Sequence, residues 1–341
     1  MKKITINDVA KHAGVSKKTI SRVLNDEPNV SSDTKQRVEN SFRELGYRPN
    51  LQARGLAGSH SFLIGLIYPS QSNSYVSNIQ KGALERCRAE GFHLVIYPED
   101  HENENLLVQI ESSLVSANLD GIMLTPPFSA MQPLVQLIKN LNIPLILIGA
   151  PSLIKDVPSV ISNDMEASYE MCRYLVSIGH SKIAFIQGHP DHASSEQRFI
   201  GYKKALSEAG VSMQEKYIQQ GNFTFESGEE CARRLLSLKN PPSAIFASND
   251  YMAAGIVKVA NQKGISIPNQ LTVTGFDNAP ASRYIWPALT TIKQPITEMA
   301  IEATRILIRV IRNKPLESLT VTIKDELIVR ESSAPAPRNP S

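Results

Sequence analysis

Two groups of residues in this chain carry side chains suited to recognition, and they differ in kind. The first is a cluster of cations, Lys17, Lys18 and Arg22, interleaved with the hydroxyls of Ser16, Thr19 and Ser21. At this density such groups bind phosphates, and from a helix they can reach base edges in a major groove. The second is a set of polar loops: Pro69-Ser70-Gln71-Ser72-Asn73-Ser74-Tyr75, the run from Gly188 to Arg198, Ala247-Ser248-Asn249-Asp250 and Thr274-Gly275-Phe276-Asp277-Asn278. Arg, Asp and Asn beside an aromatic ring offer bidentate hydrogen bonds and a stacking face, the set that a polyhydroxylated small molecule requires. Inside the second loop, His189, Asp191 and His192 form the string HPDH. It has neither the i, i+4 helical spacing of a zinc-binding pair nor an evident third ligand, and Pro190 suits a rigid turn. No metal and no cofactor are expected. No G-x-S-x-G elbow and no P-loop occurs, so no catalytic residue is assigned and an enzyme is not expected.

The cations lie within Thr5 to Asn25, TINDVAKHAGVSKKTISRVLN, which reads as two short helices joined by a tight turn. Thr5 and Asp8 have capping-box spacing, and Val9, Ala10 and Ala13 form an apolar stripe. Gly14 supplies a left-handed position, and Ser16 caps the second helix. That helix buries Ile20, Val23 and Leu24 and presents its basic residues outward, as a helix entering a major groove must. A third helix is predicted over roughly 32–45, with Val30 and Ser31 as staple and cap, Val38, Phe42 and Leu45 as its buried face, and Gly46 as its stop.

These residues carry a resemblance: IXDVAXXAGVSXXTXSRVLN is similar to the N-terminal signature of the lactose repressor/galactose repressor (LacI/GalR) family. The resemblance implies a sequence-specific transcriptional regulator that binds a pseudo-palindromic operator as a homodimer. Arg22 and Lys18 are then the candidates for guanine, and Lys17 for a base edge or phosphate. Ser16, Thr19, Ser21, Asn25, Ser31 and Tyr47 would position the head on phosphates, and Thr5, Asn50 and Ala53 complete the DNA-binding set. Lysine at both 17 and 18 departs from the lactose repressor's own pair, so no operator sequence carries over. Between Pro49 and Gly58 the resemblance implies a hinge helix that pairs with its partner in the minor groove and wedges Leu56 into the central base step. Gly55 beside it weakens the isolated helix by about 0.5–1 kcal/mol relative to alanine. The hinge is therefore expected to be disordered off DNA and helical on it.

From Ser61 the periodicity changes. Short apolar runs alternate with helix-like segments, about ten strands in all, and alternation of this kind means parallel sheets with helices on both faces. A restart near residue 160 indicates two similar subdomains. This pattern resembles the fold that the family carries, and the resemblance implies an all-α helix-turn-helix headpiece joined to an α/β periplasmic-binding-protein-like core of two doubly wound parallel-sheet subdomains. The boundaries expected are a headpiece over 1–48, a hinge helix over 49–60, an N-subdomain over 61–160 with 292–321, a C-subdomain over 161–291 with 322–331, and a disordered tail over 332–341. The resembled fold implies three crossings between subdomains, and these are expected near Pro158, Thr291 and Thr322. The proline-rich tail has no leucine heptad, so a tetramerising coiled coil is not expected.

Ligands of such sheets sit beyond the carboxyl ends of the strands, where the polar loops lie. The family resemblance selects residues there: Arg198 in RFIGY, Asn249 in SND and Asp277 in GFDN, with Phe223 as an aromatic wall, Gln294 near a crossing, and Ser70, Tyr75, His192 and Ser194 at variable loop positions. It implies a small effector. A sugar that releases the operator is the main reading. A corepressor, either a nucleobase or a phosphorylated metabolite, is the alternative, and a sugar receptor without DNA function is a third.

Composition is consistent with this plan. Of 341 residues, 42% are apolar and 20% charged. Residues 1–60 carry a net charge of +5 and the remainder −2, so a polyanionic partner is expected for the head alone. Cys87, Cys172 and Cys231 are odd in number and lack C-x-x-C spacing, which fits buried free thiols in a reducing cytoplasm. Lys2 and Lys3 lead straight into a helical pattern rather than a signal peptide, and no apolar run reaches the ~18 residues of a membrane span.

Overall fold

The computed structural model describes residues 4–24, 30–47, 60–70, 74–150 and 156–337. The expected contacts Asn25, Asn50, Ala53 and Leu56, and with the last three all of the hinge helix but His60, lie outside the described residues.

Three helices form the head: α1 (Ile6–Ala13), α2 (Lys17–Leu24) and α3 (Ser32–Leu45). The Asp8 carboxylate accepts the Thr5 N–H at 2.8 Å and the Thr5 hydroxyl at 2.7 Å. The capping box expected from the spacing is present in both directions, the Thr5 side chain taking the N3 backbone N–H while the Asp8 side chain takes the Thr5 N–H. Gly14 turns the chain at φ 64°, where a side chain would be strained. Ser16 Oγ accepts the Thr19 N–H at 3.1 Å and Ser31 Oγ accepts the Thr34 N–H at 3.4 Å, so α2 and α3 open on the same S-x-x-T device. Val9, Ile20 and Val38 are completely buried at the centre, and Phe42, Leu45 and Tyr47 pack at the edge. A core of this size rarely supplies more than about 3–5 kcal/mol.

The body begins with β1 (Leu63–Pro69), α4 (Ser74–Glu90), β2 (His93–Glu99), α5 (Leu106–Ala117), β3 (Gly121–Leu124), α6 (Gln132–Asn140), β4 (Leu145–Ile148) and β5 (Ser159–Ser162). It continues with α7 (Asp164–Ser177), β6 (Ile183–Gln187), α8 (Ala193–Glu208), β7 (Ile218–Gln220), α9 (Phe225–Leu235), β8 (Ala244–Ala247), α10 (Asp250–Gln262), β9 (Thr272–Thr274), α11 (Ala281–Tyr284) and β10 (Thr291–Lys293). The last elements are α12 (Ile296–Ile311), β11 (Thr320–Ile323) and β12 (Glu326–Ile328). One sheet has the order β11-β5-β4-β3-β1-β2 and the other β7-β6-β8-β9, and every pairing within them is parallel. Strands such as GIML and LILI are buried throughout because helices cover both faces. In the first sheet α4 and α12 cover one face while α5 and α6 cover the other. In the second, α9 and α10 oppose α7 and α8.

The structure moves some expected boundaries. The strand at 160–162 was expected to restart the second subdomain, but β5 pairs with β4 and β11 in the first sheet. Its burial on both faces fits that position. The crossings accordingly fall slightly later than expected, around Asn163, Gln294 and Lys324. β10 and β12 pair antiparallel, an exception to the expected parallel pattern, and bridges at Thr274–Thr290 and Asp277–Lys293 hold β10 beside the second sheet.

The tail from 332 was expected to be disordered, yet its described part, through 337, is tied down. The Val273 N–H donates to Ser332 O at 3.0 Å, the Thr290 N–H to Ser332 Oγ at 2.8 Å and the Ala336 N–H to Ile178 O at 2.9 Å. Ser332 is fully buried, and Ala334 O lies 3.1 Å from Nε2 of buried His180. Polar composition argued against a core, but this segment's backbone and hydroxyls satisfy buried groups along the sheet edge. The three cysteines are free and buried, and burial pushes the Cys87 and Cys172 thiols up to about 12. Among the described residues, no helix is long and apolar enough to cross a membrane.

Candidate functional site

The head presents its polar groups at helix starts. Thr5, Ser16, Lys17, Lys18 and Ser31 are exposed, and Thr19, Ser21, Arg22 and Tyr47 are half-buried. Tyr47 stacks on Phe42 with centroids 5.6 Å apart, which fixes its ring at the edge of the core. His12 Nδ1 meets Ser41 Oγ at 3.0 Å and ties α1 to α3. Hydroxyls at three helix N-termini, flanked by lysines, form a surface suited to phosphate oxygens.

Between the subdomains lies a cavity of about 450 Å³. Every residue expected to contact an effector lines it: Ser70, Tyr75, His192, Ser194, Arg198, Phe223, Asn249, Asp277 and Gln294. Arg198 is the central charge. It extends from α8 with its side chain only 5% exposed, and its Nε donates to Asp164 Oδ1 at 2.7 Å. Its Nη1 donates to Ser248 O and lies 3.7 Å from Asp277 Oδ1, and the guanidinium sits 3.7 Å from the Phe276 ring centre. A guanidinium held by two carboxylates, a carbonyl and a ring face is fixed before any ligand arrives. With its amide oriented to satisfy both ends, Gln294 donates to Asp277 Oδ1 at 3.1 Å and accepts from Arg198 Nη2 at 3.2 Å.

The carboxylates crowd each other. Burial raises Asp277 to about 7, opposed by Arg198 and assisted by Asp164. Asp250, beneath it, is also raised by burial and by Asp277, although Thr291 Oγ1 at 2.6 Å and the Ala279 N–H at 2.7 Å donate to it. Asp325, at the third crossing, has both oxygens buried without a hydrogen-bond partner, and burial followed by Asp164 raises it to about 8. His192 is lowered to about 4 by burial and by neighbouring His189 and Arg198, so its ring is neutral at pH 7.

Phe223 forms one wall at φ 62°. A β-carbon at Gly188 would lie 1.9 Å from the Phe223 ring, so glycine there makes room for the wall. Asn249 has two structural roles: Oδ1 accepts the Met252 N–H at 2.9 Å, capping α10, and Nδ2 donates to Phe223 O at 2.8 Å. It faces the cavity while anchoring that wall.

Sequence reading missed Asp164, the principal partner of Arg198. It also missed His101, which follows β2 and places its ring 5.9 Å from that of His189. Asp164 follows β5 just as the other loops follow their strands, and assigning that strand to the first sheet would have exposed it. Nothing local marks His101, because only the closure of the two subdomains brings it to HPDH.

A family model for bacterial regulatory proteins of the lacI family matches residues 5–50, and one for a periplasmic binding protein-like domain matches residues 172–333. The HTH-type transcriptional regulator DegA of Bacillus subtilis is 35% identical over 98% of this chain and 99% of its own length. The chain belongs to the LacI family. As a LacI-family protein it is a DNA-binding transcriptional regulator with a helix-turn-helix head and a periplasmic-binding-protein-like core. Two solved structures of transcriptional regulators are similar along nearly their whole length. The transcriptional regulator CelR in complex with cellobiose is 26% identical, with a TM-score of 0.75, covering 97% of this chain and 100% of that one. The lac repressor dimer bound to operator and the anti-inducer ONPF is 25% identical, with a TM-score of 0.76, covering 98% and 100%.

Proposed function

We propose that this regulator is a cytoplasmic, homodimeric repressor of carbohydrate-utilisation genes, released from a near-palindromic operator by a small sugar. The reading includes no catalysis. Each head inserts α2 in a major groove, with Arg22 and Lys18 at base edges, Lys17 at a base edge or phosphate, and Thr5, Ser16, Thr19, Ser21, Ser31 and Tyr47 on the backbone. Asn25, Asn50, Ala53 and the Leu56 wedge are assigned to DNA from the sequence alone. In the cleft, Arg198 and Asp277 take ring hydroxyls, Phe223 stacks on the sugar, and Gln294 senses the distance between the subdomains. Ser70, Tyr75, His192, Ser194 and Asn249 shape the remaining wall.

One observation carries this reading: a buried, pre-oriented Arg198–Asp277 pair faces an aromatic wall in a cavity shared by both subdomains. The cellobiose complex of CelR and the operator-bound lac repressor dimer support the sugar and the dimer. A sugar that binds only the folded state at a hundred times its Kd stabilises it by about 2.7 kcal/mol, so a thermal-shift screen of mono- and disaccharides finds candidates. Operator binding is then titrated with the hits, and a sugar is expected to weaken it. Tightening by a nucleobase or phosphorylated metabolite, with no response to any sugar, overturns the proposal in favour of corepression. DNA binding that survives deletion of residues 1–60 overturns the assignment of the head.

A further inference from the structure

We propose that His101, His189 and Asp191 form a binding site for a first-row divalent cation of the zinc class, bridging the two subdomains at the cleft. Their ligand atoms all lie within 4.8 Å of one another. His101 and His189 occupy equivalent places: each stands two residues beyond the carboxyl end of a parallel strand, β2 in one subdomain and β6 in the other. Asp191 belongs to the same loop as His189, and its Oδ2 is 3.8 Å from His189 Nδ1.

The donor set selects the ion. Two imidazoles and one carboxylate, with a coordination position left for water or a ligand hydroxyl, suit zinc and its neighbours better than calcium or magnesium, which take oxygen ligands. A tetrahedral ion with bonds of about 2.1 Å holds its ligand atoms about 3.4 Å apart. Side-chain rotations of about an ångström close the observed spacing to that value. The Asp191 N–H donates to His189 Nδ1 at 3.2 Å and holds the ring within its own loop; an ion bound at Nε2 keeps that bond, and one bound at Nδ1 replaces it. Asp100, adjacent to His101, lines the same cavity and adds negative charge.

His101 moves with one subdomain, and His189 and Asp191 move with the other. An ion held by all three favours the closed cleft, and by linkage whatever opens the cleft weakens the ion. The site therefore gives the regulator a metal input that neighbours the Arg198 site in the same cavity but uses different side chains.

The test is calorimetric titration of zinc chloride into chelator-stripped, full-length protein without sugar. One ion per protomer is expected. His101→Gln and His189→Gln each weaken binding by more than about 100-fold, Asp191→Asn by less, and His93→Gln, on an exposed strand position, leaves it unchanged. Equal thermal unfolding of the variants in chelator confirms that they fold. Zinc is also expected to change operator affinity in the wild type and not in His101→Gln. An affinity that His101→Gln leaves unchanged means an ion held by one subdomain or by the surface, and overturns the proposal. So does the absence of binding tighter than millimolar. Neither result bears on the sugar reading, because no sugar is present.

Discussion

The head and the cleft solve opposite problems with the same residue types. In the head, functional groups are exposed or half-buried, and the hydroxyls that open its helices are positioned by a neighbour three residues away, as Thr19 is by Ser16 and Thr34 by Ser31. In the cleft the charges are buried and are positioned by residues far away in the chain: Arg198 by Asp164, Ser248 and Asp277, and Asp250 by Thr291. Exposed groups contribute through geometry and cost little if altered. Buried ones depend on one another, so removing one leaves buried neighbours short of a partner.

The largest expected effect breaks the cleft. Arg198→Ala leaves Asp164 and Asp277 buried without their cation, a change of about 3–5 kcal/mol in comparable buried pairs. The core's denaturant midpoint is expected to fall sharply while the head's transition stays in place. An unchanged core midpoint would show that the carboxylates simply protonate and that Arg198 serves the ligand alone.

Next is the corresponding break in the head. Ile20 is completely buried in a small core, and Ile20→Ala costs about 2–5 kcal/mol. That is comparable with everything the head has, so operator binding is lost. Core unfolding and sugar binding, read by thermal shift, are expected to be unchanged. A shift in the core transition would mean that the two regions are not energetically separate.

The contrast also explains what the sequence made legible. The head could be read almost residue by residue, because caps, the Gly14 turn and the apolar stripe are local signals. In the cleft, the strand-to-loop rule and the family resemblance found residues that all face one cavity. They did not find Asp164 or His101, whose roles arise only when distant strands become neighbours. The tail was misread for the same reason. Its prolines and serines look like disorder until His180 and the edge of β9 are in place to use them.

A third effect is smaller and depends on pH. Asp325 is raised to about 8, so the folded protein holds a proton there that the unfolded chain releases near pH 4. Stability from this group is therefore complete below pH 4 and declines as pH rises toward 8. Asp277, raised to about 7, contributes with the same sign. His192, lowered to about 4, acts oppositely and only below its ordinary range near 6.5. Between pH 6.5 and 8.5 the core's melting temperature is expected to fall, and to fall less in Asp325→Asn. Parallel slopes for the two proteins would mean that water reaches that carboxylate.

The smallest effect separates the two kinds of cation in the head. Lys17 is exposed, and its assigned role is largely electrostatic. Lys17→Ala is expected to weaken binding to operator and random duplex alike, and to lower the slope of log K against log salt by about 1. Arg22 is half-buried on the same helix, and its proposed role is to read a base edge. Arg22→Ala is expected to cost about 1–3 kcal/mol on the operator and far less on random duplex, which narrows the gap between them. If both substitutions lowered the two affinities equally, α2 would be reading charge alone, and specificity would have to come from the hinge and the spacing of the two heads.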